Sequence, residues 1–473
     1  MLKLSEHVRF YKINDDLYIL WNRFFPGVIK LNERAFQLLF KMNGNKFEEK
    51  NKIKDDHYTT ELLKYRLLYR GNVDPYPQEF KNQVEGQYRL ALRKAEDFYT
   101  KEQEYAQLYL YNTSCNLKCS YCIRNYKRSR LSPYPIFKRG ERKRILNIIA
   151  DQYIERKAKS DVKMINISLN GGEIFLEWDL MRSLVERLQN QYSTIKFKYF
   201  VNTNMTLLTE KMAQFISKHD FEFNIGIDGY VEAHNTNRKY HNGKGSFGDV
   251  MRALEIYRGI NSNCTIDSFQ GTIDHPEAFQ PEKVYNMNRF SFKSARLGAN
   301  LLNVSDEKAL NQAMIYKKFL ELNHKYDFQV SDSVFENFGQ LVNLKENFFY
   351  FPCNGLSTLP RMGIYIDISS MQASQICSYV PGAKISLKEI NYNIYNPKLW
   401  ELSKNFIRER IESLLKFCME CDLIGVCKGS CVMNGLDHEN RKNSAACLFQ
   451  NEMWKIYLCH LCLDDFYARK KIA

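Results

Sequence analysis

At 473 residues, 44% of them hydrophobic, the chain is long enough for two or three domains, each with its own core. No apolar run reaches bilayer length, and the start Met1-Leu2-Lys3-Leu4-Ser5-Glu6-His7 lacks the charged and apolar regions of a signal peptide, so a cytoplasmic protein with no membrane partner is expected. The formal charge of +14 suits an anionic partner or simply a solvated basic surface, with local density only at residues 127–130 and 138–143.

Residues 8–12 and 17–21 read as a hairpin around Asn14-Asp15-Asp16, and 27–31 as a third short strand. Asn32 is placed to cap a helix through Met42, with Glu33 in its first turn and Gly44 just past its end. A second helix is expected over 58–69, carrying Leu62, Leu63, Leu67 and Leu68, and residues 96–105 are polar enough to be a linker. From 106 to 330, strand-like runs at 108–111, 164–169, 197–201, 221–227, 265–272 and 295–298 alternate with amphipathic stretches such as those at 142–156, 180–191, 210–218, 249–258 and 306–324. Six β-then-α repeats argue for an α/β fold with a parallel sheet.

Thirteen cysteines in a chain of this kind argue for metal rather than disulfides, and eight of them fall after residue 376. Cys115, Cys119 and Cys122 form a C-x3-C-x2-C triplet directly after the first core strand. Three clustered thiols can hold an iron–sulfur cluster with one iron left open, hold zinc with a distant fourth ligand, or be buried structural groups. The second strand runs into Gly171-Gly172-Glu173, the third ends in Val201-Asn202-Thr203-Asn204-Met205-Thr206, and the fourth in Gly226-Ile227-Asp228-Gly229, followed by His234-Asn235, Arg238 and Gly243–Phe247. Late in the chain comes Cys418-x2-Cys421-x5-Cys427-x3-Cys431, with Cys447 beyond it. A 454–467 helix carries Cys459 and Cys462 one turn apart, which read as buried structural thiols with metal ligation as the alternative, and Cys264 in its strand reads as a core residue.

Together these motifs resemble the radical S-adenosylmethionine (SAM) superfamily, and within it the subgroup that carries a SPASM extension. The resemblance implies a partial (β/α)6 TIM-like radical SAM barrel at 106–330, with chemistry at the C-terminal strand ends. It also implies a C-terminal cysteine-rich SPASM domain at 345–473. The first ninety-five residues resemble a PqqD-like, winged-helix-like peptide-recognition domain through Leu31-Asn32-Glu33-Arg34-Ala35 and the strands before it. In that family the leader segment of a peptide adds as a strand to the sheet edge. A nucleic-acid-binding winged helix and a purely structural cap remain the alternatives for this segment.

By the resemblance, Cys115, Cys119 and Cys122 hold a 4Fe-4S cluster whose open iron chelates SAM. Tyr121, Gly171, Gly172, Glu173, Asn202 and Asp228 are then the cofactor-binding candidates, with Glu173 accepting from the SAM ammonium. Asn204 stands where the family has glycine and is expected to take the left-handed backbone that asparagine tolerates. Asn235 and Tyr230 replace the usual aspartate and proline. Cys418, Cys421, Cys427 and Cys447 would hold one auxiliary 4Fe-4S cluster, and Cys353, Cys377 and Cys431 another. Leu359 stands where a further ligand is common, while Gly363 keeps the expected distance from Cys353. One electron from the cluster cleaves SAM to a 5′-deoxyadenosyl radical, so the family implies an external donor such as flavodoxin or ferredoxin. The implied function is oxidative modification of a ribosomally made precursor peptide, by thioether or carbon–carbon cross-linking or by epimerisation. The alternatives are an anaerobic sulfatase maturase, against which Ser378 stands in place of an aspartate base, and a zinc-ribbon nucleic-acid-binding protein, whose nucleic-acid partner is disfavoured because it leaves the Gly171–Glu173 segment unexplained.

Overall fold

The computed structural model describes residues 2–41, 57–100, 107–112, 114–122, 138–159, 163–260, 266–301, 304–343, 363–375, 384–427 and 444–470. The chain divides into two compact units, one of residues 90–332 and 353–408, the other of 1–89, 333–352 and 409–473.

Five strands belong to the second of these, the N-terminal unit: β1 (Leu2–Leu4), β2 (Val8–Asn14), β3 (Leu17–Asn22), β4 (Val28–Asn32) and β5 (Leu68–Arg70). β2, β3 and β4 make the expected antiparallel sheet with β3 in the centre. Asn32 Oδ1 accepts from Ala35 N at 2.8 Å, capping the helix Glu33–Lys41, whose Phe36 stacks on Tyr18 at 3.9 Å. Gly44 lies outside the described residues.

The second expected helix is shorter than its leucines suggest. It spans His57–Lys64, and Arg66 takes a left-handed φ of 57° that stops it. Leu68 then opens β5, which pairs antiparallel with β1, so Leu4 and Leu68 meet across a two-stranded ladder instead of along a helix face. The segment expected to be a linker is helical where it is described, because the helix Tyr76–Thr100 runs through 96–100.

The core unit holds one ten-stranded sheet. Its strands are β6 (Gln107–Asn112), β7 (Met164–Gly171), β8 (Lys196–Thr203), β9 (Asp220–Gly226), β10 (Ser268–Ile273), β11 (Ser294–Ala299), β12 (Gln329–Ser331), β13 (Gly363–Asp367), β14 (Gln372–Ser374) and β15 (Ile385–Ser386). The order is β12-β11-β10-β9-β8-β7-β6-β13-β14-β15. From β6 to β12 every neighbouring pair is parallel, so the six expected strands, β6 to β11, form the contiguous wall of a partial barrel with β12 as a seventh strand at its edge. Crossover helices Arg139–Ala158, Trp178–Gln191, Glu210–Ile216, Phe247–Ile260 and Asp306–Asn323 lie between them in sequence, as parallel pairing demands. β13 extends the wall by pairing parallel with β6, and β14 and β15 add antiparallel strands beyond it. A Cβ on Gly363 would lie 2.6 Å from the Tyr109 ring, which stacks on Tyr365 at 4.5 Å, so glycine is what admits that stack. Among the described residues, no helix is long and apolar enough to cross a membrane.

Candidate active site

The C-terminal ends of β6 to β10 surround a cavity of about 320 Å³ in the core unit. Cys115, Cys119 and Cys122 all line it, together with Gly171, Gly172 and Asn202 from the strand ends. The loop that carries the cysteines is held from several sides. Lys118 N donates to Lys239 O at 2.7 Å, Ser120 N to Asn237 O at 3.0 Å, and Ser120 Oγ to the buried Asp274 at 2.5 Å. Two N–H groups face the Cys115 sulfur, Leu117 N at 3.4 Å and Asn204 Nδ2 at 3.7 Å.

Gly171 closes the cavity from the β7 side with a φ of +123°, and a Cβ there would lie 2.1 Å from Asn112 O. Gly172 N donates to the same oxygen at 2.5 Å. Only glycine lets the two strand ends approach this closely and present bare main chain to the cavity.

Glu173 is placed differently from the ammonium contact that the resemblance implies. Its carboxylate is fully buried, outside the cavity lining, and its oxygens accept from Phe175 N at 3.0 Å, Thr203 Oγ1 at 2.8 and 2.9 Å, and Asn204 N at 2.7 Å. Burial raises its pKa, while those donors oppose the rise. Glu173 therefore ties the end of β7 to the end of β8. The left-handed residue on that β8 turn is Met205, with a φ of 65°, not Asn204. Asn204 spends its side chain instead on Asn116 Oδ1 at 2.9 Å and on Thr206.

Asp228 is also fully buried and outside the lining. Its Oδ1 accepts from Tyr121 OH at 3.1 Å and Thr272 N at 2.8 Å, and Arg238 Nε lies 3.0 Å away. It thus fixes two groups that do reach the cavity, the Tyr121 ring and the Arg238 guanidinium, which lie 5.6 Å apart in cation–π geometry. A Cβ on Gly226 would meet Arg238 Nη1 at 2.5 Å, so the glycine at the end of β9 makes room for that cation. Among the described lining residues Arg238 carries the one formal charge, apart from the thiols. In the sequence Arg238 stands only as a motif position ten residues after Asp228, and their pairing emerges from the fold.

Asn202 lines the cavity as expected, within a row of carboxamides across three strands. It donates to Asn170 and accepts from Asn224 Nδ2 at 2.5 Å. Asn235 Oδ1 accepts from Phe247 N at 3.0 Å, and Gly245 leaves the space it occupies.

His234 packs behind this wall, fully buried, with Nε2 3.0 Å from Ser246 Oγ. Burial holds its pKa well below the usual value, so it is neutral in the fold, while the unfolded chain takes up a proton below about pH 6.5. The unfolded state then binds more protons, and stability falls as the pH drops through that value, by about 1.4 kcal/mol per pH unit. Denaturation midpoints at about pH 7.5 and 5.5 check this: His234→Gln is expected to lose that part of the slope.

The late cysteines divide. Cys418 and Cys421 lie in the turns after the helix Pro397–Phe417, Cys427 ends the short helix Ile424–Cys427, and Cys447 sits on the helix Ser444–Lys470 with Cys459 and Cys462. All are thiols without disulfides. Cys264, Cys353, Cys377 and Cys431, with Leu359 and Ser378, lie outside the described residues. Among the described residues no three His, Cys, Asp or Glu side chains meet closely enough to share a single metal ion. A cubane cluster makes no such demand, since it bonds each thiolate to a different iron.

The donor set of the core cavity fits such a cluster. Burial pushes the Cys119 thiol up to about 12, which disfavours a bare thiolate, and an iron–sulfur core supplies the positive charge that reverses that preference. Residues 109–271 match the family model of the Radical SAM superfamily. The chain is 21% identical over 453 residues to the radical SAM cyclopropyl synthase TigE of Paramaledivibacter caminithermalis, covering 91% of this chain and 89% of that one. It is 26% identical over 350 residues to a cysteine-type anaerobic sulfatase-maturating enzyme of Clostridium perfringens, covering 68% and 86%. The solved structure of native anSMEcpe with bound AdoMet superposes with a TM-score of 0.55 at 18% identity, covering 78% of this chain and all of that one, which bears out the fold. The chain therefore carries a radical SAM domain and is related to a radical SAM cyclopropyl synthase and to anaerobic sulfatase-maturating enzymes.

Proposed function

We propose that the cavity holds a 4Fe-4S cluster on Cys115, Cys119 and Cys122 with SAM beside it, and that the enzyme oxidatively modifies a ribosomally made precursor peptide. The observation that carries the reading is the convergence of three thiols, bare glycine main chain and one fixed cation on a single cavity at the C-terminal strand ends. When bound, the cluster and SAM supply reductive cleavage of the sulfonium and a 5′-deoxyadenosyl radical that abstracts hydrogen. The chain's own part is orientation. Arg238, held by Asp228, offers a guanidinium to the SAM carboxylate; the main chain of Gly171 and Gly172 offers carbonyls to its ammonium; Asn202 and Asn224 offer carboxamides to its hydroxyls; Tyr121 offers a flat wall.

The likeness to a cyclopropyl synthase favours carbon–carbon bond formation among the oxidative outcomes. The N-terminal sheet, whose edge strands are β2 and β4, is the proposed seat of the peptide leader, in the manner of a PqqD-like domain. Cys418, Cys421, Cys427 and Cys447, with Cys353, Cys377 and Cys431, are the proposed auxiliary-cluster ligands, and a cytoplasmic low-potential donor such as flavodoxin or ferredoxin the electron source.

Anaerobically reconstituted protein, given SAM, dithionite and candidate peptides from neighbouring small reading frames, tests the reading. The expected product is a peptide lighter by a pair of hydrogens, formed with 5′-deoxyadenosine and lost when the leader is removed. A sulfatase-derived peptide converted to formylglycine instead would move the second reading, a sulfatase maturase, into first place; the likeness to the Clostridium perfringens enzyme is what favours it.

A further inference from the structure

The segment that carries Cys418, Cys421 and Cys427 is gripped by the N-terminal sheet of its own unit, at each of the two spacers between its thiols. In the first spacer, Glu420 Oε2 accepts from both Arg23 Nη1 and Nη2 at 3.2 Å. Arg23 is 6% exposed and lies over the Phe24 ring at 4.9 Å, so the guanidinium is a built-in part of the β3 end and not a surface cation. In the second spacer, Asp422 O accepts from Trp21 Nε1 at 3.2 Å, and the Asp422 carboxylate pairs with Arg9 of β2. Gly425 N donates to Arg23 O at 2.8 Å, and a Cβ on Gly425 would lie 2.4 Å from the Phe24 carbonyl carbon. Leu423, Ile424 and Val426 are buried, while Glu420 and Asp422 are exposed and the three cysteines are partly exposed. Within the segment, Cys421 N donates to Cys418 O at 2.9 Å and Cys427 N to Leu423 O at 2.7 Å, so moving either spacer moves the sulfurs.

We propose that the N-terminal sheet is a structural wall of the late cysteine site, with Arg23 and Gly425 as its positioning residues, so that this site cannot assemble its iron–sulfur group without β3. The proposal rests on the auxiliary-cluster reading above. It gives the N-terminal segment a role independent of any peptide: Arg23 neutralises and orients the Cys418–Cys421 spacer, and Gly425 allows main chain to lie on main chain.

Two measurements on full-length Arg23→Gln, Arg23→Lys and Gly425→Ala test it. In chelator-stripped protein, alkylation of Cys421 and Cys427 is expected to quicken about tenfold in Arg23→Gln and Gly425→Ala, with Cys115 unchanged and Arg23→Lys in between. In reconstituted protein the same variants are expected to lose about four irons per chain, one cubane, together with the matching electron-paramagnetic signal. Peptide-free formation of 5′-deoxyadenosine should stay within about twofold of wild type, because Cys115, Cys119 and Cys122 lie in the other unit. Full iron in Arg23→Gln and Gly425→Ala overturns the proposal, whatever their thiol reactivity. Parallel loss of 5′-deoxyadenosine overturns it too, since the defect is then global. Wild-type protein with iron for the core cluster alone would sink the auxiliary-cluster reading and the proposal with it.

Discussion

Glu173→Ala is expected to lower the stability of the core unit by about 3–5 kcal/mol, because it strands three donors around a fully buried site. Phe175 N, Thr203 Oγ1 and Asn204 N all point at this carboxylate from buried positions. Thr203 Oγ1 also accepts from Met205 N at 2.9 Å, so the loss propagates into the left-handed turn after β8. Glu173→Gln keeps the volume but turns an amide N–H₂ toward donors, and is expected to cost about 1–3 kcal/mol. Denaturation midpoints of the two variants, read beside SAM affinity, decide the residue's role. A variant of wild-type stability whose SAM affinity has collapsed would falsify the anchoring role and return Glu173 to direct contact with the ligand.

The same residue marks what sequence can and cannot carry. Spacing placed Cys115, Cys119, Cys122, Gly171, Gly172 and Asn202 on strand ends, and the structure brings all six to one cavity. These were legible because strand ends are set by local hydrophobic runs, and parallel pairing then stacks the ends together. The direction in which a polar side chain turns at such an end was not legible. Glu173 and Asp228 turn away from the cavity and into the wall, each drawn by donors that lie on other elements: Thr203 and Asn204 at the end of β8 for one, Thr272 of β10 and Tyr121 of the cysteine loop for the other. A family motif records that a carboxylate is needed and leaves open whether it serves the ligand or the scaffold.

Tertiary pairing also overrode local pattern. Leu67 and Leu68 continue the helical spacing of Leu62 and Leu63, yet the ladder with β1 takes Leu68 into β5, and Arg66 absorbs the turn with its paired Glu79 at 2.6 Å. β12 to β15 were missed because they are two to five residues long and gain their hydrogen bonds only from an existing sheet edge. The association of residues 409–473 with 1–89 in one unit has no local signature at all. It depends on contacts such as Trp21 with Trp454 at 5.7 Å, between residues far apart in the chain.

Cys119→Ala is expected to abolish 5′-deoxyadenosine formation, by at least about a thousandfold, or roughly 4 kcal/mol of transition-state stabilisation, and to remove about four irons per chain. Cys115→Ala and Cys122→Ala are expected to do the same, since three thiolates are the fewest that hold a cubane with one iron free for SAM. Cys119 is the sharpest of the three because it is the most buried, in a loop that hydrogen bonds to Asn237 and Asp274 hold in place. Cys421→Ala supplies the contrast, with a similar loss of iron but SAM cleavage retained in the absence of peptide. The pair separates chemistry at the cavity from electron traffic beyond it. If Cys119→Ala still cleaves SAM at the wild-type rate, the three thiols are not its ligands. If both variants bind zinc in place of iron and neither they nor the wild type forms 5′-deoxyadenosine, the sites are structural zinc centres and the radical chemistry proposed for the cavity is wrong.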